Sequence, residues 1–278
     1  MARAEAVLEL AGAEVVSLAD AADAPLFEPA PDEMPLWPTV AVRALFDGAA
    51  DLEPLCAILR ATCAPFGAIE IAVLPDSSWL DAARQQFTAR RIGARLWLAP
   101  WDSEPGPAEL TTVRLHMGLA FGTGEHPTTA LCLEWLERRA TSGTTLLDYG
   151  CGSGILALAA VALGARFAYA VDNDPQALTA ARANAALNGA ADRVFVGAPE
   201  QLPAVSVDVL VANILAGPLV ELAPTFAKLV APGGMLVLSG ILEAQAAGVA
   251  AAYAPYLANI ERAARDGWVR LAGSRNAS

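Results

Sequence analysis

Lysine is nearly absent: Lys228 is the only one among 18 basic residues, the rest being arginine. A chain this poor in lysine has no cluster to hold anionic lipid and almost no amine for Schiff-base chemistry. Histidine is limited to His116 and His126. The four cysteines, Cys56, Cys63, Cys132 and Cys151, form no C-x-x-C pair. That leaves no zinc pattern and no disulfide framework, so a metal-free protein with reduced thiols is expected. Charged residues make up 17% and apolar residues 55%, which excludes a chain kept disordered by charge. Long hydrophobic runs are missing too. Mean hydropathy is +0.41, but the uncharged stretch Tyr149–Ala165 contains four glycines and falls short of a membrane span. Glu5 and Glu9 occupy what would be the apolar region of an export signal. A cytoplasmic protein with no membrane partner is the expectation.

What is present is a formal charge of −12. Repulsion of that sign opposes a partner held through phosphates and favours a basic protein, so no direct nucleic-acid partner is expected.

Two kinds of pattern divide the chain. Ala2–Leu10 reads as a helix and Ala13–Leu18 as a strand. Prolines 25, 29, 31, 35 and 38 then mark a loop. A strand over Val40–Phe46, a helix capped by Asp51 and reaching Cys63, and a strand over Ile69–Val73 follow. One more strand in front of this order would make a small α+β sandwich. Trp79–Arg91 reads as helical and Arg95–Ala99 as a strand. The acidic Pro/Gly-rich break at Asp102–Glu109 places a boundary near residues 100–110. From Thr144 the pattern changes. Thr144–Tyr149, Phe167–Asp172, Val194–Val196, Val207–Ala212 and Met235–Ser239 are short apolar runs separated by helical stretches, as a parallel sheet covered on both faces requires. The fold class is therefore α/β, a doubly wound sheet preceded by a small α+β domain. The domains are 1–100, a linker and lid at 101–129, and 130–278.

The chemistry concentrates in Asp148-Tyr149-Gly150-Cys151-Gly152-Ser153-Gly154, which runs from a strand directly into the apolar helix Ile155–Leu163. Glycines there let the backbone bend sharply and approach a ligand with no Cβ in the way. Asp172 ends the next strand about twenty residues on, where a carboxylate can accept hydrogen bonds from both ribose hydroxyls. A dinucleotide fingerprint would have its third glycine at position 155, which is isoleucine. That counts against a nicotinamide-dependent dehydrogenase. Asp148 beside the bend favours a cation over a pyrophosphate. S-adenosylmethionine, with a sulfonium and an ammonium group, suits that field. Asn213 ends the fourth strand, where the transferable methyl should lie, and its amide can orient a substrate amine.

Upstream, Gly118–Thr129 is too glycine-rich for regular structure and reads as a lid, with Thr128 and Thr129 capping a helix over Ala130–Leu136. His126, beside a proline, reads as a hydrogen-bonded structural residue rather than a base. Trp37, Trp79 and Trp97 read as core residues, Trp79 having the added option of facing a substrate. Cys151 reads as a small filler.

The motifs G-L-A-F-G-T-G-E-H-P-T-T, L-L-D-Y-G-C-G-S-G-I-L-A, V-D-N-D-P-Q-A-L and V-A-N-I-L-A-G-P-L, in that order, resemble the methyltransferases of large-subunit ribosomal protein eleven. The resemblance runs from Leu115 to Gly273. It implies a class I methyltransferase domain after a substrate-binding domain, with S-adenosylmethionine as methyl donor. Lysine side chains and the N-terminal amine of that ribosomal protein would be the acceptors. Carried over by motif, Thr129, Gly150, Gly152, Asp172 and Asn213 would hold the cofactor, with Asn213 also the catalytic residue; a monomer is expected. The chain departs from the family pattern at His116-Met117, at Ala83 and near the amino terminus. Those departures leave open a different protein substrate or a cofactor-binding homologue without activity.

Overall fold

Strands that are apolar on both faces must be covered on both faces, and the computed structural model meets that demand. It describes residues 2–13, 15–21, 39–63, 67–73, 87–104, 106–116, 124–139 and 142–276. They fall into two units, Met1–Asp76 and Ser77–Ser278.

The first unit comprises α1 (Ala2–Leu10), β1 (Val15–Asp20), β2 (Val40–Leu45) and α2 (Glu53–Thr62). β1 and β2 pair antiparallel, with Val15 opposite Leu45. Leu52 rather than Asp51 is the N-cap of α2, but Asp51 Oδ1 still accepts from Glu53 N at 3.2 Å. The strand expected over Ile69–Val73 does not form among the described residues. Ile71 and Val73 are exposed there, so their alternation faces no core.

In the second unit the central sheet contains β6 (Thr145–Tyr149), β7 (Phe167–Val171), β8 (Val194–Gly197), β9 (Val207–Asn213), β10 (Val230–Leu242), β11 (Leu257–Arg265) and β12 (Trp268–Arg275). Their spatial order is β11-β12-β10-β9-β6-β7-β8. β6 through β10 run parallel, and β12 lies antiparallel to both β10 and β11. One face carries α3 (Pro127–Arg138), α4 (Ile155–Ala162) and α5 (Pro175–Leu187), and the other carries α6 (Ala216–Glu221), α7 (Ala223–Leu229) and α8 (Ala246–Tyr253). Consecutive residues Leu146 and Leu147 are both fully buried, in opposite cores. Truncating either to alanine should cost about 2–5 kcal/mol.

A three-stranded sheet belongs to the same unit: β3 (Arg90–Ile92), β4 (Leu96–Pro100) and β5 (Thr111–Leu115). Of the stretch expected to be helical, Trp79–Arg91, residues 79–86 lie outside the described residues, and Arg90 and Arg91 belong to a strand. The cause is Gly93, whose φ of +58° makes the turn that folds Arg90–Ile92 back on Leu96–Leu98. Three side chains, two from α5 and its C-cap and one from α3, staple this sheet down. Asn188 accepts from Arg114 N at 2.8 Å and donates to Arg114 O at 2.6 Å. Asn184 Oδ1 accepts from His116 N at 2.7 Å. Glu137, from α3, accepts from Ala94 N and Arg95 N at 3.0 and 3.1 Å. The proline loop, Trp37, Trp79, Ala83, Met117 and the glycine-rich part of the lid lie outside the described residues. Among the described residues no helix is long and apolar enough to cross a membrane, and no cluster of three or more His, Cys, Asp or Glu could hold a metal.

Candidate cofactor site

The chain moves outward in one direction from β6 to β7 and β8, then returns to the other side of β6 through β9. At such a switch point the carboxyl ends of the two neighbouring strands splay apart and leave a crevice. The loops after β6 and β9 line it.

After β6, Gly150, Gly152 and Gly154 all adopt left-handed backbone, with φ of +76°, +52° and +80°. A side chain at any of them would be strained. A Cβ on Gly150 would run into Ile214 Cγ2, and one on Gly154 would lie 3.2 Å from Ala181 Cβ. The bend is anchored at both ends: Gly150 N and Cys151 N donate to Val171 O, and Gly152 N donates to Asp172 Oδ2 at 2.8 Å. Asp172 is half-buried at the end of β7, and its Oδ1 also accepts from Asp174 N at 3.0 Å. Two of the residues singled out by sequence thus touch. Thr129 and Asn213 form a second such pair, with Asn213 Nδ2 donating to Thr129 Oγ1 at 3.1 Å.

The cap of α3 is His126 rather than Thr128 or Thr129, and the helix begins at Pro127. His126 Nδ1 lies 2.8 Å from Thr128 Oγ1 and accepts from Thr128 N at 3.4 Å, and the ring meets Trp268 edge to face. Burial holds its pKa below the ordinary value. This is the structural role expected of it. Thr128 and Thr129 are instead buried and serve the strand ends, Ser239 Oγ donating to Thr128 O at 3.1 Å. Trp97 is only half-buried, and Cys151 is buried in the bend with its thiol pushed up by desolvation.

Asp148 also departs from expectation. Its side chain does not face a ligand as a free charge; it is fully buried behind the bend, and Oδ2 accepts from Ala157 N in the first turn of α4 at 3.0 Å. Oδ1 has no partner among the described residues. Burial, opposed by the Ala157 hydrogen bond and helped by the nearby Asp172 charge, pushes this carboxyl from 3.8 up to about 7. A shift of that size corresponds to about 4 kcal/mol, and its sign is fixed: the folded protein holds the proton more tightly than the unfolded chain. Stability from this group is greatest below pH 3.8 and declines as pH rises to about 7. The melting temperature of Asp148→Asn minus that of the wild type should therefore grow between about pH 4 and pH 7 and level off above. A difference that stays flat across that range in thermal melts would show that Asp148 is ionised in the fold.

Sequence reasoning passed over Asn184 and Arg90, and used Ile214 only through its backbone, beside Asn213, in orienting the amine. Ile214 sits between the bend and β10: a Cβ on Gly240 (φ +84°) would collide with its backbone. Asn184, fully buried, ties the bend to β5 by donating to Ser153 O at 2.9 Å while accepting from His116 N. Arg90 approaches from β3. Gly240, next after the apolar run Met235–Ser239, could have been suspected; nothing in the sequence marks Asn184 or Arg90. A groove of about 440 Å³, lined by Trp135, Arg139, Asp208 and Met235 among others, lies at the opposite end of β6 and β9 and is separate from the site.

The family model for ribosomal protein L11 methyltransferase matches residues 1–276. The chain belongs to that family. The ribosomal protein L11 methyltransferase of Pseudomonas putida strain W619 is 49% identical over 273 residues, covering 98% of this chain and 93% of its own length. That of Marinobacter nauticus strain ATCC 700491 is 46% identical over 271 residues, covering 95% and 91%. The crystal structure of the ribosomal protein L11 methylase from Lactobacillus delbrueckii subsp. bulgaricus superposes with a TM-score of 0.61 at 33% identity, over 68% of this chain and 100% of that one. The resemblance stated from the motifs is borne out. The protein is a class I methyltransferase with S-adenosylmethionine as its cofactor. The site fits that cofactor on its own terms, through a bend kept free of side chains and a carboxylate fixed beside it.

Proposed function

We propose that the protein transfers methyl groups from S-adenosylmethionine to amines of ribosomal protein L11, the substrate in its relatives' names, at lysine side chains and the N-terminal amine. The observation that carries this reading is the joining of the Gly150–Gly154 bend, through Ile214, to the Asn213–Thr129 pair across one crevice. Thr129, Gly150, Gly152, Asp172 and Asn213 hold the cofactor, Asp172 by accepting from the ribose hydroxyls. Residues 1–100 carry the substrate, 101–129 connect, and 130–278 carry the cofactor. The enzyme works as a cytoplasmic monomer without direct nucleic-acid contact.

When bound, S-adenosylmethionine supplies a methyl group on a sulfonium, open to in-line attack by an amine. The protein's share is alignment, which is worth several kcal/mol of barrier when the geometry is held. A free lysine ammonium has a pKa of about 10.4 and no lone pair, so the attacking amine must first be neutral. Asn213 and the backbone near Ile214 orient that amine, and its proton passes to water. Mass spectrometry of purified L11 after incubation with enzyme and S-adenosylmethionine should show methyl increments on lysines and the N-terminus. Unmodified L11, with cofactor binding intact by calorimetry, would refute the substrate assignment.

A further inference from the structure

The amino-acid end of S-adenosylmethionine bears a carboxylate as well as an ammonium. The carboxylates beside the bend, Asp172 and Asp174, suit its cationic groups and repel the carboxylate, which needs a cation of its own.

Arg90 in β3 is such a cation. Its Nε and Nη2 are closed off from solvent and have no hydrogen-bond partner among the described residues. Nη1 faces Glu125 Oε1 at 3.9 Å, an ion pair too long for a hydrogen bond. A carbon placed on Gly124 Cα would lie 3.2 Å from Arg90 Nη2 and 3.0 Å from Ile155 Cδ1. The guanidinium is therefore beside the first residue of α4, one position after Gly154. Burial lowers its pKa, but a guanidinium keeps its proton at any physiological pH. A covered charge with idle donors is costly until something pairs it. Nε and Nη2 also form the planar fork that matches two carboxylate oxygens.

We propose that Arg90 binds the α-carboxylate of S-adenosylmethionine through its Nε–Nη2 fork and so selects the intact amino-acid end of the cofactor. This assignment rests on the reading that the bend holds S-adenosylmethionine. The test is calorimetry of wild type, Arg90→Met and Arg90→Lys with two ligands: S-adenosylmethionine and its decarboxylated analogue, which keeps the sulfonium and the amine. Arg90→Met should weaken S-adenosylmethionine by about 10- to 100-fold and change the analogue by no more than about threefold. Arg90→Lys, a point charge without the fork, should fall between. Equal loss for both ligands, or loss for neither, overturns the assignment. Should Arg90→Met fail to fold, wild type and Arg90→Lys decide: the assignment falls if Arg90→Lys prefers S-adenosylmethionine over the analogue as strongly as wild type does, and stands if that preference shrinks. A wild-type protein that binds neither ligand overturns the cofactor reading itself, and the assignment with it.

Discussion

Replacing Asp172 with alanine should weaken S-adenosylmethionine binding by about a hundredfold while the fold survives. The carboxylate is half-buried at the end of β7, and its oxygens accept from Gly152 N and Asp174 N at 2.8 and 3.0 Å. Each oxygen has a second lone pair, so both can also accept from a ribose hydroxyl. Hydrogen bonds to a charged group contribute about 1.5–3 kcal/mol each. Two of them, less the part water would replace, leave about 3 kcal/mol, which is about a hundredfold in Kd. The alanine variant also frees the Gly152 amide and loosens the bend, which adds to the loss. Asp172→Asn, which can still accept on one side, should lose less. Calorimetric titration measures both, with thermal melts to show that the fold remains. An alanine variant binding as tightly as wild type would remove Asp172 from the site.

Where a local pattern was sufficient, the sequence was readable. Five apolar runs after Thr144 became β6 to β10 because a strand covered on both faces leaves no other arrangement for consecutive leucines such as Leu146 and Leu147. The bend, Asp172 and Asn213 were legible because glycine and strand-end polar residues mark a switch point by spacing alone. β11 was missed for the opposite reason. It is an edge strand carrying Glu261, Arg262 and Arg265, and Asn259 in left-handed backbone interrupts it, so no alternation survives. β3 was misread because Arg90–Ile92 has no strand signal until Gly93 turns it onto β4. His126 was missed as a cap because the residues that usually fill that role were close by, at Thr128 and Thr129. Asp148 shows a further limit: its charge was visible in the sequence, but its burial behind the bend depends on α4 and on the neighbouring strands.

Asn213→Ala should lower turnover by about a hundredfold at saturating cofactor, with a smaller effect on cofactor affinity. The basis is how β10 is paired with β9 where β9 ends. Asn213 pairs in register with Ser239; Ser239 Oγ holds Thr128 O at 3.1 Å, and Asn213 Nδ2 holds Thr129 Oγ1 at the same distance. The start of α3 is thus fixed to the end of β9 and to the residue of β10 paired with it, and the Asn213 amide is held in one orientation by the contact that does the fixing. Truncation removes the group that orients the amine and releases one of the two anchors. Misplacing a reacting group by about 1 Å costs about a hundredfold. Two companion variants separate these effects. Thr129→Val keeps the amide and removes its anchor, so it should cost turnover by about tenfold. Asn213→Asp keeps the shape and an acceptor that the Thr129 hydroxyl can donate to, so it should retain more activity than alanine. If Asn213→Ala turned over like wild type with cofactor saturating, orientation of the amine would have to come from the backbone of Ile214, which is wedged between Gly150 and Gly240.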